Sequence, residues 1–153
     1  MIRLAATQFS LSTNSIEIYL SGCKADPHCK NCHNPELWSF DIGVPYRKSF
    51  IALLEEKILK YDNLVNSIWI LGGEPLDQPI DELEGMLKEL SKIGKDIWLW
   101  TRYELDEVPD NIKKYCDYIK CGRYEEDKQK EGYTSHGVIL ASTNQKIYKL
   151  KDD

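Results

Sequence analysis

Ser15-Ile16-Glu17-Ile18-Tyr19-Leu20 alternates in polarity and is rich in strand formers, which predicts a strand ending at Ser21-Gly22. Downstream the period changes. Phe50, Ile51, Leu54 and Ile58 form an apolar stripe at helical spacing, predicting a helix capped by Ser49 and ending near Tyr61. Ser67-Ile68-Trp69-Ile70-Leu71 is a continuous apolar run stopped by Gly72-Gly73, the pattern of a strand buried on both faces. Helical spacing returns in Ile80, Leu83, Leu87, Leu90 and Ile93, and Gly94 is placed to end that helix. Residues 96–101 read as a third strand, 111–115 as a short helix, and 117–120, 138–141 and 146–150 as further strands. Strand, helix, strand, helix, strand implies right-handed crossovers and a parallel sheet with helices outside. Ligands of such sheets sit at the carboxyl ends of the strands. Cys23 and Gly72-Gly73 each follow a strand closely, so both are expected on one rim.

Composition narrows the setting. A chain of 153 residues suits a single domain spanning 1–153, and a complete (β/α)8 barrel, typically about 250 residues, does not fit. No repeat, linker or low-complexity segment divides it. Twenty basic against 25 acidic side chains give a net charge of −5, which argues against nucleic acid or an anionic membrane as partner. No run approaches the ~20 apolar residues of a membrane span, and Met1-Ile2-Arg3-Leu4-Ala5-Ala6-Thr7-Gln8 lacks a signal-peptide core. A cytoplasmic location is expected, where clustered thiols bind metal or do redox work more often than they form disulfides.

Three of the five cysteines, Cys23, Cys29 and Cys32, fall in ten residues as C-x5-C-x2-C. Three thiolates on one loop suit a cubane four-iron cluster with one iron left open. Two other readings share the spacing. Structural zinc would take the three cysteines with His28 or His33. Covalent haem would use Cys29-Lys30-Asn31-Cys32-His33, but such attachment belongs to exported proteins and leaves Cys23 unexplained. Leu71-Gly72-Gly73-Glu74-Pro75 adds a second signal. Glycines after a strand let main-chain groups approach a ligand, and a carboxylate beside them accepts bonds from an amino group. An ordinary strand-to-helix turn would carry the same residues.

Together the cysteine loop and the Gly-Gly-Glu-Pro turn resemble radical S-adenosylmethionine enzymes. Ser21-Gly22-Cys23, Cys29-Lys30-Asn31-Cys32-His33-Asn34-Pro35-Glu36-Leu37-Trp38, Gln78-Pro79, Trp98-Leu99-Trp100-Thr101 and Ser142-Thr143-Asn144-Gln145-Lys146-Ile147 narrow this. The chain resembles the anaerobic ribonucleotide reductase activating proteins over residues 15–147. It departs from them in three places: two extra residues between Cys23 and Cys29, Arg102 where glycine is common, and Cys121-Gly122-Arg123-Tyr124 in place of an Asp- or Thr-Gly-Pro-aromatic segment.

The resemblance implies an α/β fold: an incomplete TIM-like barrel of about five to six mainly parallel strands, with outer helices and the cluster loop after the first barrel strand. It implies that Cys23, Cys29 and Cys32 hold a 4Fe-4S cluster whose open iron takes the amino and carboxylate groups of S-adenosylmethionine. Gly72 and Gly73 would offer main-chain contacts to the methionyl amino group, and Glu74 would share that contact or shape the turn. Reductive cleavage would then generate a glycyl radical on a large reductase. Implied partners are that glycyl-radical reductase and a flavodoxin- or ferredoxin-like electron donor. Asn31, Thr101 and Asn144, with Gln145, are candidates for the nucleoside, although turn chemistry explains Asn144 equally well.

Other residues read more plainly. Trp69, Trp98 and Trp100 are expected in the core. His28 and His33 read as solvated loop residues, and Glu125-Glu126-Asp127-Lys128-Gln129-Lys130-Glu131 as a solvated loop or the border of a partner surface. Cys116 and Cys121 read as small buried apolar residues, with a redox pair or an auxiliary metal contact as the alternatives. Two rival functions remain at this level: activation of a different glycyl-radical enzyme, and a zinc-stabilised adaptor without catalysis.

Overall fold

Strands β2 (Ser15–Leu20), β4 (Ser67–Gly72), β5 (Asp96–Trp100) and β6 (Tyr118–Cys121) lie side by side and parallel, as the alternating order predicts. A computed structural model describes residues 1–30, 32, 34–61 and 64–151 of the chain. In it the four strands form the middle of a seven-stranded sheet in the order β3 (Val44–Pro45), β1 (Arg3–Ser10), β2, β4, β5, β6 and β9 (Lys146–Lys149). The flanking strands β1, β3 and β9 pair antiparallel. Helices α1 (Ser49–Lys60), α2 (Ile80–Ser91) and α3 (Asp110–Lys113) connect the central strands. No helix among the described residues is long and apolar enough to cross a membrane.

Side-chain alternation along the strands divides the sheet into two faces. Ile16, Ile18, Ile68, Ile70, Leu99 and Ile119 join the core that also holds Leu54, Ile58, Leu83, Leu87 and Leu90 of the helices. The opposite face carries an aromatic row, Trp69, Trp98 and Tyr118, with ring centroids 5.0 and 4.1 Å apart at near-parallel tilt. Val138, Leu140 and Ile147 pack on that row. Two residues further along each strand, on this same face, come Tyr19, Leu71, Trp100 and Lys120. These four sit at the carboxyl ends of the parallel strands, where the sheet leaves a cavity.

Several sequence expectations are corrected. β1 was not anticipated from the pattern, because Ala5, Ala6, Thr7 and Gln8 carry little hydrophobic signal; the segment becomes a strand through its ladder with β2. Ser49 is the first helical residue of α1 and not its cap; Lys48 holds that position without a side-chain bond. Of the strand expected over 138–141, only β8 (Val138–Ile139) forms. β8 pairs with β7 (Thr134–Ser135), and β9 closes the main sheet against β6. Trp69 and Trp98 are core, as expected, whereas Trp100 lines the cavity.

Helix α2 offers a paired test of this packing. Leu87 is fully buried, so Leu87→Ala is expected to cost about 2–5 kcal/mol. A Cβ on Gly85 would meet nothing within 4 Å, so Gly85→Ala is expected to stabilise by about 0.5–1 kcal/mol. Urea unfolding of the two variants measures both signs.

Candidate functional site

The site begins where β2 and β4 end. β2 leaves the sheet at Ser21-Gly22 and passes directly into Cys23; β4 ends at Gly72 and turns through Gly73-Glu74-Pro75. The two exits are sewn together by main-chain bonds. Gly73 N donates to Leu20 O at 3.0 Å and Glu74 N to Gly22 O at 2.7 Å. This close approach explains both glycines. Gly72 has φ +139°, and a Cβ there would strike the Leu20 backbone, while one on Gly73 would strike the carbonyls of Gly22 and Leu37. With the Gly73 and Glu74 N–H groups spent on β2, the turn has carbonyl oxygens to offer a ligand that donates hydrogen bonds.

Glu74 anchors the turn to the end of β5. Its carboxylate is 1% exposed and accepts from Arg102 N at 2.7 Å, Thr101 Oγ1 at 2.7 Å and Leu76 N at 3.0 Å. Burial pushes this carboxyl up from its ordinary value, and the three hydrogen bonds pull against that rise. Asp77, in the same turn, accepts from Lys24 N at 2.7 Å, Arg102 Nη2 at 3.0 Å and the Tyr103 hydroxyl at 2.5 Å. Gln78 Nε2 donates to Ser21 O at 2.9 Å. One turn therefore holds the start of the cysteine loop from below. Sequence reasoning missed Asp77 as a site residue, although an acid beside a Gly-Gly-Glu turn was visible. It also met Arg102 as a departure, whereas the guanidinium bridges Asp77 to Tyr103, and its charge lowers the Cys23 thiol against the rise that burial causes.

The cysteine loop is fastened at further points. The His28 ring stacks on Trp38 with centroids 4.1 Å apart, and its Nε2 is 3.1 Å from Cys23 O. Arg123 donates to Pro27 O, and Lys30 pairs with Glu126 at 3.4 Å. The stretch that includes the two added residues is thus braced by Trp38 on one side and by the segment after β6 on the other. His28 is therefore engaged with Trp38 and not simply solvated. Glu126 likewise faces the cysteine loop, so the charged run that contains it is partly tied down.

Cys23, Cys29 and Cys32 are each half-buried and line one cavity of about 380 Å³ with Gly72, Gly73, Glu74, Thr101 and Lys120. That volume lies in the ordinary range for small-molecule sites, about 300–1,000 Å³. The donor set fits a four-iron cluster: three thiolates from one loop facing a shared cavity, with the rest of the wall left to a ligand. Burial raises the Cys23 thiol, while Arg102 lowers it. Among the described residues, no three His, Cys, Asp or Glu side chains gather as a site for a single metal ion. His28 spends its Nε2 on Cys23 O and stacks on Trp38, and His33 lies outside the described residues.

Other predicted site residues separate by place. Thr101 lines the cavity, but its hydroxyl donates to Glu74 and accepts from Tyr103 N at 3.1 Å. Asn144 donates to Arg123 O at 2.7 Å, and it is Gln145 whose side chain reaches the cavity wall. Asn31 lies outside the described residues. Cys116 and Cys121 are buried in the helix-side core as free thiols, both pushed up to about 12, chiefly by burial.

Similarity to known proteins adds to the geometry. The family described as a 4Fe-4S single cluster domain matches residues 14–148. The chain is 30% identical over 146 residues to the anaerobic ribonucleoside-triphosphate reductase-activating protein of Haemophilus influenzae, covering 88% of this chain and 86% of that one. It is 28% identical over 143 residues to the protein of the same name from Pasteurella multocida, covering 87% and 85%. The Escherichia coli K12 protein of that name is 28% identical over 146 residues, covering 88% and 87%. No solved structure matches the chain.

Replacing Glu74 by Gln keeps one acceptor oxygen and turns an amide toward main-chain and hydroxyl donors. Glu74→Gln is expected to cost about 1–3 kcal/mol in urea unfolding. An unchanged midpoint would mean that Glu74 does not anchor the turn.

Proposed function

The chain belongs to the anaerobic ribonucleoside-triphosphate reductase-activating proteins of the 4Fe-4S single cluster domain family, and from that premise we propose that it is a radical S-adenosylmethionine activating enzyme. Its product is a glycyl radical on an anaerobic ribonucleoside-triphosphate reductase. The observation that carries this reading is the shared cavity: the three cysteines of one loop and the Gly-Gly-Glu turn face each other across it, at the ends of parallel strands.

Cys23, Cys29 and Cys32 would hold the 4Fe-4S cluster as thiolates. The chemistry supplied by a bound cluster is delivery of one electron to the sulfonium of S-adenosylmethionine, which gives methionine and a 5′-deoxyadenosyl radical able to take a hydrogen atom from a reductase glycine. The remaining work belongs to the chain's own groups. Carbonyls of Gly72 and Gly73 receive the methionyl amino group, since the turn's N–H groups at Gly73 and Glu74 are bonded to β2. Glu74 and Thr101 shape the wall instead of binding through free polar atoms, because each is engaged with the other. Leu71, Trp100 and Leu140 form an apolar wall that excludes water from a reactive carbon radical. In this reading the sheet is an incomplete TIM-like barrel, and its open side admits a glycine loop of the partner. Electrons come from a flavodoxin- or ferredoxin-like donor, and the setting is the cytoplasm.

Anaerobic reconstitution with iron and sulfide is expected to load about four irons per chain. Once reduced, the loaded protein is expected to cleave S-adenosylmethionine and to raise a glycyl radical signal on the anaerobic ribonucleotide reductase by electron paramagnetic resonance. Cys29→Ala is expected to drop cleavage to background. Tight zinc binding without cleavage would identify a zinc-stabilised adaptor. A radical signal with another glycyl-radical enzyme and silence with this reductase would reassign the partner.

A further inference from the structure

Lys120 belongs to none of the motifs above, yet among the described residues it is the only buried lysine or arginine. Strand alternation sends it to the cavity face, in register with Trp100 on β5. Its Nζ donates to Gly122 O at 3.2 Å and Thr101 O at 3.5 Å, and lies 5.4 Å over the Trp100 ring centroid. Among the described residues no carboxylate stands within ion-pair distance of it. An ammonium has three N–H donors, so one is left without a protein acceptor. Burying such a group without a counter-ion is costly, and it is tolerated where an anion completes the site.

The cavity names that anion, because Lys120 lines the one that Cys23, Cys29 and Cys32 share. Burial lowers the Lys120 pKa, and Glu74, Cys121 and the cluster-loop Cys29 act against that fall. Cys29 lines the same cavity as Lys120. A four-iron cluster carried by three thiolates is net negative and gains one further negative charge when a low-potential donor reduces it. Potentials of such clusters follow net charge, hydrogen bonds to the sulfurs and burial. We propose that the Lys120 ammonium is the fixed cation that offsets this added charge and so makes the cluster easier to reduce. The inference rests on the cluster reading given under the proposed function. It makes Lys120 a positioning charge, acting through the cluster and not on the reductase glycine.

The test is an anaerobic redox titration of the reconstituted protein, followed by electron paramagnetic resonance in the absence of S-adenosylmethionine. Lys120→Met keeps the length and removes the charge; Lys120→Arg restores it. At the potential where half the wild-type cluster is reduced, Lys120→Met is expected to hold about tenfold less reduced relative to oxidised cluster, about 59 mV for one electron. Lys120→Arg is expected to stay within about twofold of wild type, a rescue that mere packing would not give. Lys120→Gln carries the same comparison where the Met variant assembles no cluster. Equal midpoints for wild type and Lys120→Met would overturn the inference while leaving the cluster intact. A shift that appears only after S-adenosylmethionine is added would overturn it too, by placing the charge on that ligand. A wild-type protein that takes up no cluster would remove both this inference and the reading beneath it.

Discussion

Two buried carboxylates, Glu74 and Asp77, share one arginine, and the site depends on that arrangement. Arg102 presents its main-chain N–H to Glu74 and its Nη2 to Asp77, 2.7 and 3.0 Å away. Carboxylates this deeply buried are stable only when paired and hydrogen-bonded. Burial pulls the Arg102 pKa down, but Asp77 more than restores it, so the cation stays in place. The consequence is geometric. Asp77 also receives Lys24 N, the residue directly after Cys23, and Glu74 also receives the end of β5 through Thr101. Cysteine loop, glycine turn and third parallel strand are therefore fixed to one another before any ligand arrives. Preorganisation of this kind lowers the ordering cost that binding would otherwise meet.

The same logic explains why the departures from the family pattern cluster in space. The longer Cys23–Cys29 interval, Arg102 and Arg123 are far apart in sequence, yet each touches the cysteine loop or its support. Arg102 holds the start of the loop through Asp77, and Arg123 reaches Pro27 within the stretch that carries the added residues. A longer loop has more conformational freedom to lose. His28 stacked on Trp38 and Lys30 paired with Glu126 supply the additional fixed points that such a loop needs.

Much of this was legible in the chain because period and punctuation report burial directly. The apolar run 67–71 stopped by two glycines, and the 3.6-residue stripe of α2, correspond to a doubly buried strand and an outer helix. What stayed hidden depends on contacts between distant segments. β1 carries the small and polar run Ala5-Ala6-Thr7-Gln8 at its centre and is defined by the ladder it makes with β2. Asp77 and Lys120 look like ordinary surface charges when read in line. Only the turn that folds Asp77 under Lys24, and the register that sets Lys120 beside Trp100, turn them into site residues. Thr101 was recognised by its strand-end position, yet its hydroxyl serves Glu74, which no spacing rule reveals.

The central claim is that the three cysteines and the Gly-Gly-Glu turn build one cavity for a cluster and its nucleoside partner. The most direct measurement is the electron paramagnetic resonance spectrum of the reduced, reconstituted protein before and after S-adenosylmethionine is added under conditions too cold for turnover. A shared cavity is expected to change the cluster's g-values as the ligand reaches the open iron. A spectrum that stays the same while separate binding measurements show the ligand bound would contradict a shared cavity.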